Sequence, residues 1–191
     1  MNELEIIRHS RIPGLTVFFD TVDYRTPHFH PEWELIWLLD NPLTVSGGGR
    51  TFRAEKGSLL LFQPNEPHEF HKIEENCTFL CLQVSPELLH LENDLVLETI
   101  LLNPLLGEQN APIRCALLDI AQGYLSREQF SALYCVGKAC LVFREILSDI
   151  PVRTITREER ISQEKRNKRL TSLIRFVDEN YMHKIRLSDF A

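Results

Sequence analysis

HFHPEWELIW, residues 28–37, is the stretch that decides how the fold of this chain is interpreted. His28, His30 and Glu34 occupy even-numbered positions in a run that is otherwise mostly aromatic and aliphatic. The even positions of a β-strand share one face, so a strand here would direct all three side chains into one volume. The spacing therefore predicts one wall of a binding site.

A second stretch, GSLLLFQPNEPHEF at residues 57–70, supplies the fourth candidate, His68. Three imidazoles and one carboxylate suit a divalent transition metal such as Fe(II), Mn(II), Ni(II), Zn(II) or Cu(II). The same groups also suit the polar wall of a ligand pocket without a metal, and both interpretations stay open here. Trp37 is a candidate stacking surface for a ligand, because neighbouring strand residues alternate between the two faces.

The first 84 residues have the pattern of a β-rich domain. Short strand-like runs lie at residues 15–20, 33–39, 43–46, 50–54, 58–62 and 77–84. Clusters of Pro, Gly, Asn and Asp separate several of these runs, as turns require. Many short strands at close spacing predict a sandwich or a small barrel.

After residue 85 the apolar residues recur at helical spacing. One helix is predicted over residues 113–124, and Ser126-x-x-Gln129 predicts a capping box that opens a second helix. In the second helix an apolar stripe has spacings of three and four residues: Leu133, Val136, Cys140, Phe143 and Leu147. This stripe predicts either a contact between two subunits or a face that packs on the core of the same chain.

The charges divide the chain into an acidic body and a basic end. Residues 153–191 contain 10 Lys and Arg against 6 Asp and Glu, whereas residues 1–152 contain 11 against 21, so that the net charge is −6. Residues 153–169 are predicted to be a basic linker. Residues 170–191 are predicted to form an amphipathic helix and the start of another at Ser188, so we expect the protein to continue beyond this chain.

Composition and motifs argue against several classes of protein. There is no run of about 18 apolar residues, as a membrane span requires, and no signal peptide at the N-terminus. The five cysteines lie in apolar contexts that are typical of buried thiols in a reducing compartment. No Gly-rich phosphate loop, Gly-x-Ser-x-Gly or His-Glu-x-x-His motif is present. We therefore expect a cytoplasmic protein with no membrane partner and no nucleophile-and-base active site.

The β-rich region resembles a cupin. His28-x-His30-x3-Glu34 is similar to the first cupin motif, and the segment from residue 57 to His68 is similar to the second, although it lacks the glycine expected before the histidine. The whole chain resembles the front part of an AraC/XylS-family transcriptional regulator. HFHPEWELIWLL and RTFRAEKGSLLLFQPNEPHEF are similar to its sensor domain, and LTSLIRFVDENYMHKIRLSDFA is similar to the start of its DNA-binding domain.

This resemblance implies a fold that is mainly β, a cupin-like barrel followed by a helical dimerisation region. The implied parts are a barrel at 1–84, dimerisation helices at 85–152, a linker at 153–169 and an incomplete helix-turn-helix domain at 170–191. The implied function is to sense a small effector, such as a sugar, in a homodimer that binds DNA through the rest of its C-terminal domain. The expected effector-binding residues are His28, His30, Glu34, Trp37 and His68.

No catalytic residue and no DNA-contacting residue is expected within this chain, and no resident cofactor is required. A divalent transition metal held by His28, His30, Glu34 and His68 is the one cofactor that the residues allow. The alternative function is a metal-dependent cupin enzyme of the dioxygenase or isomerase type.

Overall fold

Two five-stranded β-sheets and a layer of helices make up the body of the protein. A computed structural model describes residues 3–89, 99–101, 105–106, 110–126, 128–149, 152–154, 156–183 and 185–186. The strands are β1 (Glu3–Leu4), β2 (Leu15–Val22), β3 (Tyr24–Phe29), β4 (Trp33–Leu38), β5 (Leu43–Gly47), β6 (Arg50–Ala54), β7 (Leu59–Phe62), β8 (His68–Lys72), β9 (Cys77–Val84), β10 (Thr99–Leu101), β11 (Leu105–Leu106) and β12 (Val152–Thr154). The helices are α1 (Pro86–Leu89), α2 (Ala111–Leu125), α3 (Ser131–Asp149) and α4 (Arg157–Asn180).

Each of the two sheets has its own strand order. The first sheet has the order β1-β3-β8-β5-β6, and the second has the order β11-β7-β4-β9-β2. The pairing is antiparallel except between β1 and β3, which are parallel. The separate pair β10 and β12 is antiparallel as well. The predicted fold class, mainly β with a helical C-terminal part, is confirmed.

Strand β4 shows how the sequence separates two hydrophobic cores. Alternate residues of a strand point to opposite faces. Ile36 therefore contacts the core between the two sheets, the barrel interior, whereas Trp33 and Leu35 contact the core between the second sheet and the helices, the helix-facing core. The interior core comprises Ile36, Leu38, Leu43, Val45, Ala54, Leu60, Phe62, Phe70, Cys77, Phe79 and Cys81.

Helices α2 and α3 cover the outer face of the second sheet. Their buried residues Ile113, Leu117, Ile120, Ala121, Tyr124, Cys135, Ala139, Val142, Phe143 and Ile146 join the helix-facing core. Since β11 also pairs with β7 of the second sheet, the chain after residue 84 completes the same body. None of the helices in the described ranges carries an apolar run that would suit a membrane crossing.

The predicted capping box at Ser126 is wrong. Ser126 is the C-cap of α2, and its hydroxyl oxygen accepts a hydrogen bond from the N–H of Glu128 at 3.1 Å. Phe130 has φ of 67°, a left-handed conformation that an α-helix does not accept. Helix α3 consequently begins at Ser131.

The apolar stripe predicted on α3 divides between two environments. Phe143 is only 1% exposed, and its ring lies 5.9 Å from the ring of Trp33 in an edge-to-face contact. Val136 and Leu147 pack against the same helix-facing core, whereas Leu133 is 72% exposed. Most of this stripe therefore packs on the core of the same chain, as one of the two predicted alternatives has it. Phe143 is not available to a second subunit.

Helix α4 runs through the interval predicted to be a linker. Thr156 caps it, and a capping box forms with Glu159, as the two reciprocal hydrogen bonds of 3.2 and 2.8 Å indicate. The predicted boundary at residues 169–170 lies inside this continuous helix, because the interval is rich in the good helix formers Glu, Gln, Lys and Arg. The predicted helix start at Ser188 lies outside the described residues.

Candidate functional site

The candidate site is a layer of side chains at one end of the barrel interior. In the first sheet His68 on β8 lies opposite His28 on β3 and opposite Gly47 on β5. In the second sheet Glu34 on β4 lies opposite Phe62 on β7. The strands of both sheets thus supply residues to the same layer.

His30 joins this layer from the connection between the two sheets. The chain leaves the first sheet at the end of β3 and enters the second at the start of β4, and His30 lies between them. The sequence predicts that His28, His30 and Glu34 converge from one face of a single strand. The structure brings them together through this crossing instead.

The four side chains are placed so that they could hold one ion. His28, His30, Glu34 and His68, which we call the His/Glu site, each offer a ligating atom, and these atoms all lie within 4.8 Å of one another. Each of the four residues is at most 3% exposed. This donor set of three imidazoles and one carboxylate is the type that divalent transition metals accept.

Two of the imidazoles are held through Nδ1, which leaves a lone pair on Nε2; Nε2 of His28 lies 3.5 Å from Oε2 of Glu5. Nδ1 of His28 donates a hydrogen bond to the carbonyl oxygen of Thr26 at 2.8 Å, and Nδ1 of His68 donates to that of Glu66 at 2.9 Å. A proton on Nδ1 leaves the lone pair on Nε2. Nε2 of His68 is buried, has no hydrogen-bond partner among the described residues and lies 3.6 Å from Oε2 of Glu34. An unpartnered buried nitrogen of this kind is what a missing metal or ligand would leave.

Burial and neighbouring charges set the protonation of the site. Burial, together with the adjacent His68, lowers the pKa of His28 to about 4, so His28 is neutral at pH 7 as metal binding requires. Burial also opposes protonation of His30, but the carboxylates of Glu32 and Glu34 outweigh it and raise the pKa of His30 to about 9. Burial opposes the charge of Glu34 too, but the hydrogen bond from His30 and the adjacent imidazole of His68 hold the pKa of Glu34 well below its usual value.

In the metal-free protein, His30 and Glu34 therefore form a buried ion pair. Nε2 of His30 and Oε2 of Glu34 are hydrogen-bonded directly. A metal ion that binds here replaces the proton on Nε2, so binding must release a proton. The arrangement is compatible with a metal at neutral pH because Glu34 is already ionised and His28 is already neutral, so that only His30 has to lose a proton.

The floor of the site is apolar and carries a thiol. Ile36 and Cys81 face each other across β4 and β9, one layer deeper than Glu34, and both belong to the interior core. Burial raises the pKa of the Cys81 thiol well above its usual value, and the charge of Glu34 raises it further. Cys81 is consequently a neutral thiol and not a thiolate ligand.

Trp37 does not join the site. It lies on the face of β4 opposite to Glu34 and packs, partly buried, against the helix-facing core. The aromatic wall next to the site is supplied by Phe62 instead, whose ring stacks on that of His68 with centroids 4.2 Å apart. Of the five predicted effector-binding residues, four come together and Trp37 does not.

Two buried polar residues next to the site are not indicated by the motif. Gln83 is 4% exposed, and its Nε2 donates to Oε2 of Glu34 at 3.4 Å from the neighbouring strand β9. Its polar side chain in an otherwise apolar strand end is a signal that could have pointed to it. Glu32 is 6% exposed and lies in the connection before β4, where no periodic pattern indicates burial.

A surface cleft reaches the site from the side of the first sheet. The cleft has a volume of about 550 Å³. Its lining includes His68, Ser46, Arg50, Thr51 and Glu66. A small polar molecule in this cleft would therefore contact one of the four residues of the His/Glu site.

Comparison with known proteins identifies the fold of this region. Residues 14–97 match the family model of the AraC-like ligand binding domain. This match contains all four residues of the His/Glu site and strands β2 to β9. Together with the two facing sheets, it establishes a cupin-like fold. No curated protein matches the chain.

The chain is also similar to solved structures of oxalate decarboxylases. The formate complex of the Lactobacillus farciminis enzyme is 25% identical over 38% of this chain and 24% of that chain, with a TM-score of 0.34. A tryptophan variant of the Bacillus subtilis enzyme is 25% identical over 40% of this chain and 22% of that chain, with a TM-score of 0.35. The matched region spans less than a quarter of those enzymes.

Proposed function

We propose that residues 14–97 are the effector-sensing module of an AraC-type transcriptional regulator and that the effector binds at the His/Glu site. The observation that carries this proposal is the position of the family match, which contains every residue of the one buried polar layer described above. A buried polar layer above an apolar barrel floor is the arrangement expected of a small-ligand pocket. The module senses and does not catalyse.

The module uses a divalent transition-metal ion held by His28, His30, Glu34 and His68. The close approach of the four ligating atoms and the unpartnered Nε2 of His68 support this assignment. A bound ion would supply a Lewis-acidic centre that attracts an oxygen or nitrogen atom of the effector. The effector itself is a small polar molecule, such as a sugar, since the cleft beside His68 is lined by hydroxyl, guanidinium and carboxylate groups.

Metal content tests the site directly. Protein purified without chelators is expected to contain close to one equivalent of a transition metal, as measured by elemental analysis. His68→Ala should lose the metal because it removes one of four ligands, whereas His71→Ala should retain it, since His71 lies on the same strand with a side chain 47% exposed. The metal site would be refuted if the wild type contained less than about a tenth of an equivalent of metal per chain, both as purified and after incubation with each metal.

Ligand-dependent stability tests the sensing role. A screen of sugars and small polar metabolites should reveal a compound that raises the melting temperature of the metal-loaded protein, because a ligand that binds only the folded state stabilises it. The same compound should leave the melting temperature of His68→Ala unchanged. A hit that stabilises both proteins equally would place the effector elsewhere.

The alternative is a metal-dependent cupin enzyme of the dioxygenase or isomerase type. The donor set is compatible with it, because three imidazoles and a carboxylate also suit a catalytic ion. The two functions differ in the fate of the ligand. A sensor returns the bound compound unchanged with one-to-one stoichiometry, whereas an enzyme converts many equivalents, which chromatography of the mixture would detect.

We also propose that the regulator is a homodimer that pairs through the outer face of α3. Leu133 and Leu141 are 72% and 63% exposed, and Gly137 lies midway between them with open space around it. Residues four apart lie on one side of a helix, so these three form an exposed stripe with a small residue at its centre. Exposed apolar stripes of this kind mark contact surfaces.

Sedimentation of a double variant tests this interface. Leu133→Glu combined with Leu141→Glu should convert a dimer into a monomer, because charged side chains would be buried at the contact. The matched control is Leu125→Glu on α2, where the leucine is 68% exposed but outside the stripe. A dimer that persists in the double variant, or dissociates in the control, would contradict this interface.

In this proposal a helix-turn-helix region binds the DNA. Residues 170–191 resemble the beginning of such a region. The basic balance of residues 153–191 supports contact with a phosphate backbone. The effector acts by favouring one arrangement of the dimer over another, which requires different affinities for the two arrangements. A chain extended through the complete region should bind its operator with an affinity that changes when the effector is added.

A further inference from the structure

Three polar side chains lie in a row between the N-terminal segment and the His/Glu site. Nε2 of His9 lies 3.4 Å from Oε1 of Glu32, and Nδ1 of His30 lies 3.4 Å from Oε2 of the same carboxylate. The side chains of His9, Glu32 and His30 are 14%, 8% and 1% exposed. Glu32 is therefore a buried carboxylate between two imidazoles, on the side of His30 that faces away from Glu34.

The three imidazoles of the site differ in what holds Nδ1. In His28 and His68 this nitrogen donates to a backbone carbonyl two residues earlier in the chain, Thr26 and Glu66 respectively. Nδ1 of His30 and Oε2 of Glu32 have no hydrogen-bond partner of normal geometry among the described residues, and they face each other. Buried polar atoms nearly always have partners, so each is the available partner of the other.

We propose that Glu32 is the positioning residue of His30: its carboxylate accepts the Nδ1 proton and directs Nε2 at the metal ion. Glu32 thus does for His30 what backbone carbonyls do for His28 and His68. The two carboxylates around His30 have different roles, since Glu34 lies on the Nε2 side among the ligating atoms and Glu32 lies on the Nδ1 side. Carboxylates in this outer position fix the ring orientation and strengthen the imidazole as a ligand.

His9 lies beside the second oxygen of the positioning carboxylate. Its Nδ1 is hydrogen-bonded to the hydroxyl of Thr16 on β2 at 2.8 Å, which leaves Nε2 directed at Glu32. The N-terminal segment is thereby connected to the site through Glu32. This inference rests on the proposed metal site, so its test includes one measurement made without metal.

The first measurement is metal affinity, read by competition with a chelator and by the visible absorption of bound Co(II). Glu32→Ala should weaken binding by about 10- to 100-fold and alter the Co(II) bands, because His30 is no longer held. Glu32→Gln, which keeps the size and an accepting oxygen but loses the charge, should show a smaller loss. The control is Glu69→Gln, which removes the carboxylate of a more exposed pair in which Oε2 lies 3.8 Å from Nε2 of His71.

The second measurement is the protonation pattern of His30 in the metal-free protein, read from its nitrogen chemical shifts. In the wild type Nδ1 of His30 should carry a proton that is hydrogen-bonded, and in Glu32→Ala the signature of this hydrogen bond should disappear. A melting curve for each variant establishes that it is folded. If Glu32→Ala does not fold, the isosteric Glu32→Gln carries the comparison.

The outcomes separate this inference from the proposed function. If the wild type binds metal and the Glu32 variants have the same affinity and the same Co(II) bands, the role of Glu32 is refuted and the metal site remains supported. If the wild type binds no metal but shows the Nδ1 hydrogen bond to Glu32, the metal site is refuted and the positioning of His30 by Glu32 remains supported. An Nδ1 without a proton in the wild type would overturn the inference in either case.

Discussion

Gly47 lies behind Phe62, and Phe62 stacks on His68, so the position of one proposed metal ligand depends on a residue without a side chain. A Cβ atom built on Gly47 would lie 2.7 Å from Cε1 of Phe62 and 3.6 Å from Cβ of His68. Phe62 is fully buried and so has no free space to move into. At the residue scale, therefore, packing against Phe62 restricts which residue position 47 accepts, just as the proposed metal binding restricts the four residues of the His/Glu site.

Gly47→Ala is expected to destabilise the protein and to weaken the site. Overpacking of a buried contact costs about 1–3 kcal/mol. The displaced Phe62 ring should move His68, so metal affinity is expected to fall together with the free energy of unfolding. Chemical denaturation and metal titration measure the two effects.

Gly137→Ala is the matched control for this prediction. Gly137 lies in α3 with no heavy atom within 4 Å of its would-be Cβ, so alanine should be neutral or stabilise the helix by up to about 1 kcal/mol. Equal effects of the two substitutions on stability would refute the contact with Phe62 as the cause.

At the scale of elements, α3 is attached to the second sheet through aromatic packing. Phe143→Ala should lower the free energy of unfolding by about 3–5 kcal/mol, because it leaves a cavity beside Trp33. Leu125→Ala should change it by less than about 0.5 kcal/mol, because that leucine is 68% exposed. Urea denaturation measures both. A small effect of Phe143→Ala would mean that this face of α3 is not in the core.

The turn after β4 is joined to β9 by one carboxylate. Oδ1 of Asp40 accepts hydrogen bonds from the N–H groups of Asn41 and Thr78 at 2.6 and 2.7 Å. Desolvation opposes the charge, but these hydrogen bonds outweigh it and lower the pKa of Asp40. A carboxyl with a lowered pKa stabilises the folded state above its unfolded pKa of about 4 and loses this effect as the pH falls through the folded value.

Asp40→Ala is therefore expected to lower stability by about 1 kcal/mol at pH 7, the usual contribution of such hydrogen bonds. The difference from the wild type should shrink as the pH falls below about 4, since Asp40 is protonated first in the unfolded state and then, at a lower pH, in the folded state. Melting curves across this pH range provide the measurement. Asp20→Ala is the comparison, because that carboxylate accepts from the adjacent Thr21 N–H within its own strand. A pH-independent effect of Asp40→Ala would contradict the proposed cause.

At the scale of the whole molecule, the second sheet of the barrel and helices α2 and α3 share the helix-facing core. The sequence predicts a sensing barrel that ends at residue 84, whereas α2 and α3 cover Trp33, Leu35 and the other outward residues of the second sheet. A fragment of residues 1–109 would expose this apolar face. It is expected to aggregate or to bind a hydrophobic dye, as large exposed apolar patches do.

A fragment of residues 1–155 keeps both helices and the pairing of β10 with β12, and it is expected to unfold cooperatively. Dye binding and thermal unfolding of the two fragments provide the test. A soluble 1–109 fragment with a cooperative transition would show that the barrel is independent of the helices.

The sequence by itself determined six strands of the barrel (β2, β4, β5, β6, β7 and β9), the helical region and three of the four residues as a group. It did not predict β3 and β8, the strands that carry His28 and His68. Strand-like runs at 33–39, 50–54 and 77–84 match β4, β6 and β9 closely, because alternation and turn residues are local signals. The motif likewise selected His28, His30, Glu34 and then His68, whose chemistry is visible in the residue types alone. The sequence does not decide whether the stripe that contains Phe143 packs on the core or on a second subunit, since helical periodicity does not indicate what covers a stripe.

Only the tertiary structure decided how these residues meet. His30 reaches the site because the chain crosses from one sheet to the other after β3, and Trp37 is excluded because its face of β4 is covered by helices. Glu32 is brought beside Nδ1 of His30 by that same crossing. These are consequences of long-range strand pairing and layer packing, which depend on residues far apart in the chain and leave no periodic trace in a short stretch such as HFHPEWELIW.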